Sequence, residues 1–123
     1  MGEGALPLPD SLLTLRDTLR AFAAERDWEQ FHSPRNLATA LAVEAAELLE
    51  PFQWLTDEQS RDLPPETRAA VEQELADVLL YLVRLADKLG VDLESAARAK
   101  ITRNAEKYPV EKSRGSSRKY DAL

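Results

Sequence analysis

"NLATALAVEAAELLEPFQW", residues Asn36 to Trp54, decides the fold. Leu37, Leu41, Leu48 and Phe52 recur at the spacing of one helix face. Glu44 stands in line with them, inside the stripe a helix normally buries. A lone carboxylate there is expensive and takes up a proton unless something pairs with it. The stretch therefore predicts a helix with a chemical reason for its one polar interruption.

Working outward, "FHSPRN" starts this helix: Ser33 is a good N-cap and Pro34 suits the first turn. The helix runs toward Trp54. Upstream, Leu6-Pro7-Leu8-Pro9 keeps the first residues extended, and Asp10 or Ser11 caps a helix carrying Leu12, Leu15, Leu19 and Phe22 that ends near Trp28. Downstream, Asp57 to Pro65 is polar with a Pro-Pro pair and reads as a loop. A third helix spans about Glu66 to Leu89, with Val71, Leu75, Val78, Leu82, Leu85 and Leu89 as its expected buried stripe and Gly90 as its stop. Asp92 caps a fourth, running to about Lys107 before Pro109. No alternating, β-branched run suggests a strand. The expectation is all-α: a four-helix bundle over residues 10–110, an extended stretch 1–9, and a flexible basic tail 111–123. The helices carry more apolar surface than so small a chain can bury, which predicts oligomerisation.

The totals bound the rest. A chain of 123 residues, 44% hydrophobic and 31% charged, fits one small domain. It has no cysteine, which excludes disulfides, thiolate metal sites and a cysteine nucleophile. No apolar run reaches the roughly 20 residues that span a bilayer, and "MGEGALPLPD" lacks signal-peptide character, so no membrane partner and a cytoplasmic location are expected. The net charge of −6 argues against a nucleic-acid polymer as partner.

Polar residues at odd positions point to chemistry. Glu44 and Glu47 are one turn apart on the second helix, and Glu74 and Asp77 repeat that spacing on the third, followed by Tyr81. In a chain with 22 acids the spacing alone means little; the placement, beside apolar stripes of the two most central helices, carries the information. Facing carboxylate pairs point to a hard cation, Mg²⁺ or Mn²⁺, and the alternative is a solvated acidic face paired with Arg and Lys. A di-iron site would want Glu-x-x-His, and the single histidine, His32, precedes the helix. On the fourth helix Lys100, Asn104 and Lys107 share a face with Tyr108 nearby, a set suited to phosphate oxygens or to simple ion pairing. Trp28, Phe31, His32, Phe52 and Trp54 form either packing or a slot for a nucleobase, with His32 offering an edge hydrogen bond.

"RDWEQFHSPRNLATALAVEAAELLEPFQW", "ELADVLLYLVRLADKLGVDL" and "KITRNAEKYP" resemble the dCTP pyrophosphatases among the MazG-like all-α nucleoside triphosphate pyrophosphohydrolases. The resemblance covers roughly residues 10–110. It implies Mg²⁺ held by Glu44, Glu47, Glu74 and Asp77, and triphosphate contacts from Lys100, Asn104, Lys107 and Tyr108. It further implies a base pocket including Trp28, His32, Trp54 and Tyr81, and a homotetramer built from paired dimers. Pro51 departs from the family pattern: its ring should clash with the Glu47 carbonyl and kink or end the helix, which bears on the placing of Trp54.

The implied reaction is Mg²⁺-dependent hydrolysis of dCTP, and of its 5-modified forms, to the monophosphate and pyrophosphate. Glu47, at the border of the apolar stripe, is the candidate to take the water's proton, with Glu44 and Glu50 as the alternatives. Rival expectations are dUTP or phosphoribosyl-ATP hydrolysis, and a non-catalytic helical interaction module. Convergence of the four carboxylates would favour the enzyme, and dispersal over solvent the module.

Overall fold

The structure is a computed structural model and describes residues 11–122. The stretch 1–9 and the Asp10 cap lie outside them. Every regular element among the described residues is helical: α1 (Ser11–Glu25), α2 (Pro34–Leu49), α3 (Asp57–Ser60), α4 (Pro65–Leu89), α5 (Leu93–Lys107) and α6 (Val110–Ser113), with 3₁₀ turns at Glu29–Phe31 and Tyr120–Ala122. None of these helices is long and apolar enough to cross a membrane. The chain forms two compact units, one up to Val91 and one from Asp92.

In the first unit α4 packs against α2 and α1. The core lies between them: Ala23 from α1, Leu37 from α2 (1% exposed), and Val71, Val83 and Ala86 from α4. α1 stops at Glu25, short of Trp28. Asp27 takes the left-handed conformation at φ 55°, and the Asp27 and Trp28 amides donate back to the carbonyls of Ala24 (3.2 Å) and Ala23 (2.9 Å). This closing motif usually uses Gly; Asp is among the few other residues that tolerate it. The reversal leads into the Glu29–Phe31 turn and then to Ser33, whose Oγ accepts the Asn36 amide (3.1 Å) and starts α2.

α2 ends at Leu49, as the Pro51 ring dictates, and does not reach Trp54. The Glu50, Phe52 and Leu55 amides instead close tight four-residue turns by donating to the carbonyls of Glu47, Leu49 and Phe52. The expected loop after it begins with one helical turn, α3, because Thr56 and Gln59 form a reciprocal capping box.

The expected stripe of α4 needs correction. Val71 is buried and Val78 and Leu85 are half-buried, but Leu75, Leu82 and Leu89 are exposed, together with Leu79. The helix has turned a polar row, Glu74-Asp77-Tyr81-Arg84-Lys88, away from solvent, and these residues are buried or half-buried. α1 and α2 cover only part of α4, and the polar row takes part of the cover the leucines were expected to have.

In the second unit Asp92 caps α5 by accepting the Ser95 amide (3.0 Å). Pro109 precedes α6, and the segment expected as a loose tail brings Tyr120 back against Tyr108, ring centroids 6.2 Å apart, with Lys107 Nζ 5.0 Å from the Tyr120 ring.

Candidate metal centre

α2 and α4 bring three carboxylates together. One oxygen each from Glu44, Glu74 and Asp77 lies within 4.8 Å of the others. Glu47 falls outside this mutual set, but its charge bears on both Glu44 and Glu74. Three of the four expected acids therefore gather rather than scatter. The cause is local: i, i+3 spacing on each helix aims both carboxylates to one side, and α2 packs on α4.

Such crowding costs energy in the free protein. Burial, the Glu47 charge and a hydrogen bond to Asp77 hold the Glu44 carboxyl above its ordinary range. Burial, hydrogen bonding to Glu47 and the Glu44 charge push Glu74 up to about 7. Glu74 Oε2 is buried and has no hydrogen-bond partner. An orphaned carboxylate oxygen is rare in folded proteins, and a divalent cation would satisfy it. The donor set is all oxygen, which suits Mg²⁺ or Mn²⁺ over softer metals. These residues fit the group that the sequence pointed to.

Asp77 also lines a cleft of about 170 Å³ bounded by Phe22, Trp28, His32, Tyr81 and Arg84, among others. The closing motif of α1 sets its aromatic wall: Trp28 meets Phe22 edge-on at 5.7 Å and lies tilted on His32 at 6.2 Å. Three of the four expected base-pocket residues, Trp28, His32 and Tyr81, thus share one cleft that borders the acid cluster. The fourth, Trp54, does not line this cleft and is 86% exposed, because α2 ends before it. Lys100, Asn104, Lys107 and Tyr108 belong to the second unit, where Lys100 and Asn104 are exposed and Lys107 and Tyr108 half-buried.

Sequence reasoning missed Arg84. It is 4% exposed, lines the cleft, and donates to His32 Nδ1 (3.1 Å), Asp87 (3.2 Å) and Glu29. Asp87 also accepts both arms of Arg20 (2.5 and 3.1 Å), and Glu29 accepts Lys88. The signal was present: an arginine inside "LLYLVRLADKL" needs a partner if its neighbours are buried.

A family model described as MazG-like family matches residues 39–123. dCTP pyrophosphatase 1 of Mus musculus is 52% identical over 115 residues, 89% of this chain and 68% of the relative. The proteins of the same name from Bos taurus and Homo sapiens are each 51% identical over the same shares. Among solved structures, a pyrophosphatase from Archaeoglobus fulgidus superposes with a TM-score of 0.77 at 36% identity, covering 85% of this chain and 97% of that one.

Proposed function

Because the chain belongs to the MazG-like family, we propose that it is a nucleoside triphosphate pyrophosphohydrolase that converts dCTP and water to dCMP and pyrophosphate. The observation that carries this reading is the convergence of Glu44, Glu74 and Asp77 beside an aromatic cleft that shares Asp77 with them. That convergence favours an enzyme over a helical interaction module. The names of the relatives support dCTP as the substrate and a hydrolase as the class.

Glu44, Glu74 and Asp77, with Glu47 alongside, would hold Mg²⁺, or Mn²⁺ in its place. When bound, the cation supplies charge neutralisation for the phosphate oxygens and for the leaving pyrophosphate. Trp28, His32 and Tyr81 receive the base. Glu47 accepts a proton from the water that attacks as the bond between the α- and β-phosphates breaks. Its place outside the three-oxygen set leaves its carboxylate available for that task. Lys100, Asn104, Lys107 and Tyr108 are assigned to the triphosphate through the family resemblance, and Trp54 to a base pocket it would complete from a neighbouring subunit. A homotetramer is part of this reading: Leu75, Leu79, Leu82 and Leu89 form an exposed stripe on α4 that a second copy would cover.

Pyrophosphate release from a nucleotide panel, with Mg²⁺ and with EDTA, tests the proposal. Mg²⁺-dependent release from dCTP well above that from dUTP and dATP is expected. Release from dUTP or phosphoribosyl-ATP alone would keep the metal centre and remove the cytosine assignment. No release from any nucleotide would overturn the activity.

A further inference from the structure

Arg84 does not belong to the group of three carboxylates, and among the described residues it is the one buried charged side chain, at 4% exposure. Each of its three nitrogens donates: Nε to His32 Nδ1, one terminal nitrogen to Asp87 and the other to Glu29. The two carboxylates are held in turn by Arg20 and Lys88. The guanidinium therefore cannot swing, and its Nε–H stays directed at the imidazole.

A guanidinium only donates hydrogen bonds. The nitrogen it meets on His32 must accept, so Nδ1 carries no proton. A neutral imidazole has one N–H, which then sits on Nε2. The cation beside the ring also opposes a second proton. Burial first, and the charge of Arg84 next, hold His32 below its ordinary value, against the opposing pull of Glu29. His32 and Arg84 both line the cleft, with Trp28, Tyr81 and Asp77.

We propose that Arg84 is a positioning residue that locks His32 as a neutral Nε2–H donor, so that the cleft selects a base presenting a hydrogen-bond acceptor. The selectivity follows from the chemistry of pyrimidine edges and rests on the cleft being the base site. Cytosine presents an unprotonated ring nitrogen at N3, whereas uracil carries N3–H there, and two facing donors leave both unpaired. A buried polar group left unpaired is a stronger discriminator than a change in shape. A histidine free to exchange its proton between Nδ1 and Nε2 could accept from uracil as readily as it donates to cytosine. The lock removes that freedom.

The chain has one histidine, so imidazole ¹⁵N NMR reads it without assignment. In the unmodified protein at neutral pH, Nδ1 should appear bare and Nε2 protonated. Arg84→Met, which keeps the bulk and removes the donor, should give a tautomer mixture and a histidine that titrates closer to 6.5, its ordinary value. The preference for dCTP over dUTP should fall by roughly tenfold through KM, since about one hydrogen bond is at stake. Arg84→Lys keeps the charge without the fixed fork and should restore the low titration but not the full selectivity. A proton on Nδ1 in the unmodified protein, or an Arg84→Met tautomer or selectivity unchanged from it, would overturn the proposal. If Arg84→Met fails to fold, the tautomer of the unmodified protein still decides. The NMR arm needs no nucleotide, so a correct tautomer with no dCTP turnover would indict the assigned activity and not the lock.

Discussion

Glu74 concentrates the opposing costs of the site in one side chain. Its carboxyl is pushed up to about 7 and one of its oxygens is buried without a partner. A core built for stability alone would use an apolar residue there. In the proposed reading the three-oxygen set gives the side chain its purpose, and Glu47, outside that set, takes a different one. Glu47→Gln should leave the helical fold in place while lowering kcat by roughly 10²- to 10⁴-fold, the usual worth of a general base. Circular dichroism and steady-state kinetics on the purified variant check both halves, and turnover near that of the unmodified protein would remove the role. At this scale the sequence was most informative where a carboxylate interrupted an apolar stripe. Trp54 shows the opposite case. Its motif suggested the base pocket, but Pro51 ends α2 before it, and in a single chain it faces solvent.

At the scale of elements α4 is the helix to understand. Its length, its start at the Pro-Pro pair and its stop at Gly90 (φ 68°) were legible from periodicity and capping. Its rotation was not, because the helix has two faces that could each be buried. One is the leucine row; the other is the polar row that holds Glu74, Asp77 and Arg84. Periodicity ranks the leucines first. Packing against α2 and α1 chose the polar row, whose charges are paired or gathered into a site. α3 was hidden for a smaller reason: a Thr-x-x-Gln capping box makes a single turn that no apolar period announces. The exposed leucine row carries its own prediction. If the proposed tetramer forms through this row, Leu82→Glu should give smaller species than the unmodified protein in light scattering coupled to gel filtration, with helical content kept. An unchanged mass would mean that copies do not meet on this face.

Across the whole molecule, an excess of six negative charges and a cluster of carboxylates make stability depend on pH and on cations. Glu74 binds its proton more tightly folded than unfolded, since about 7 exceeds its ordinary 4.5. Its contribution to stability is therefore full below about 4.5 and is lost as pH rises through about 7. His32 acts in the other direction: held below 6.5, it contributes fully above that value and loses this as pH falls. Asp87, held below its ordinary 3.8 chiefly by its hydrogen bond to Arg20, behaves likewise, and its contribution goes only in acid. Above pH 6.5 the contributions still changing are those of the raised carboxyls of the cluster, Glu74 and with it Glu44. The decisive measurement is thermal unfolding at pH 6.5 and pH 8, with and without Mg²⁺, on the unmodified protein and on Glu74→Gln. If the carboxylates form a cation site, the metal-free Tm falls between the two pH values. Mg²⁺ then raises it, more at pH 8 than at pH 6.5, because cation and proton compete for the same oxygens. Glu74→Gln should lose most of the fall and most of the Mg²⁺ effect together. A Tm at pH 8 that Mg²⁺ leaves unchanged, or raises equally in Glu74→Gln, would contradict the metal centre.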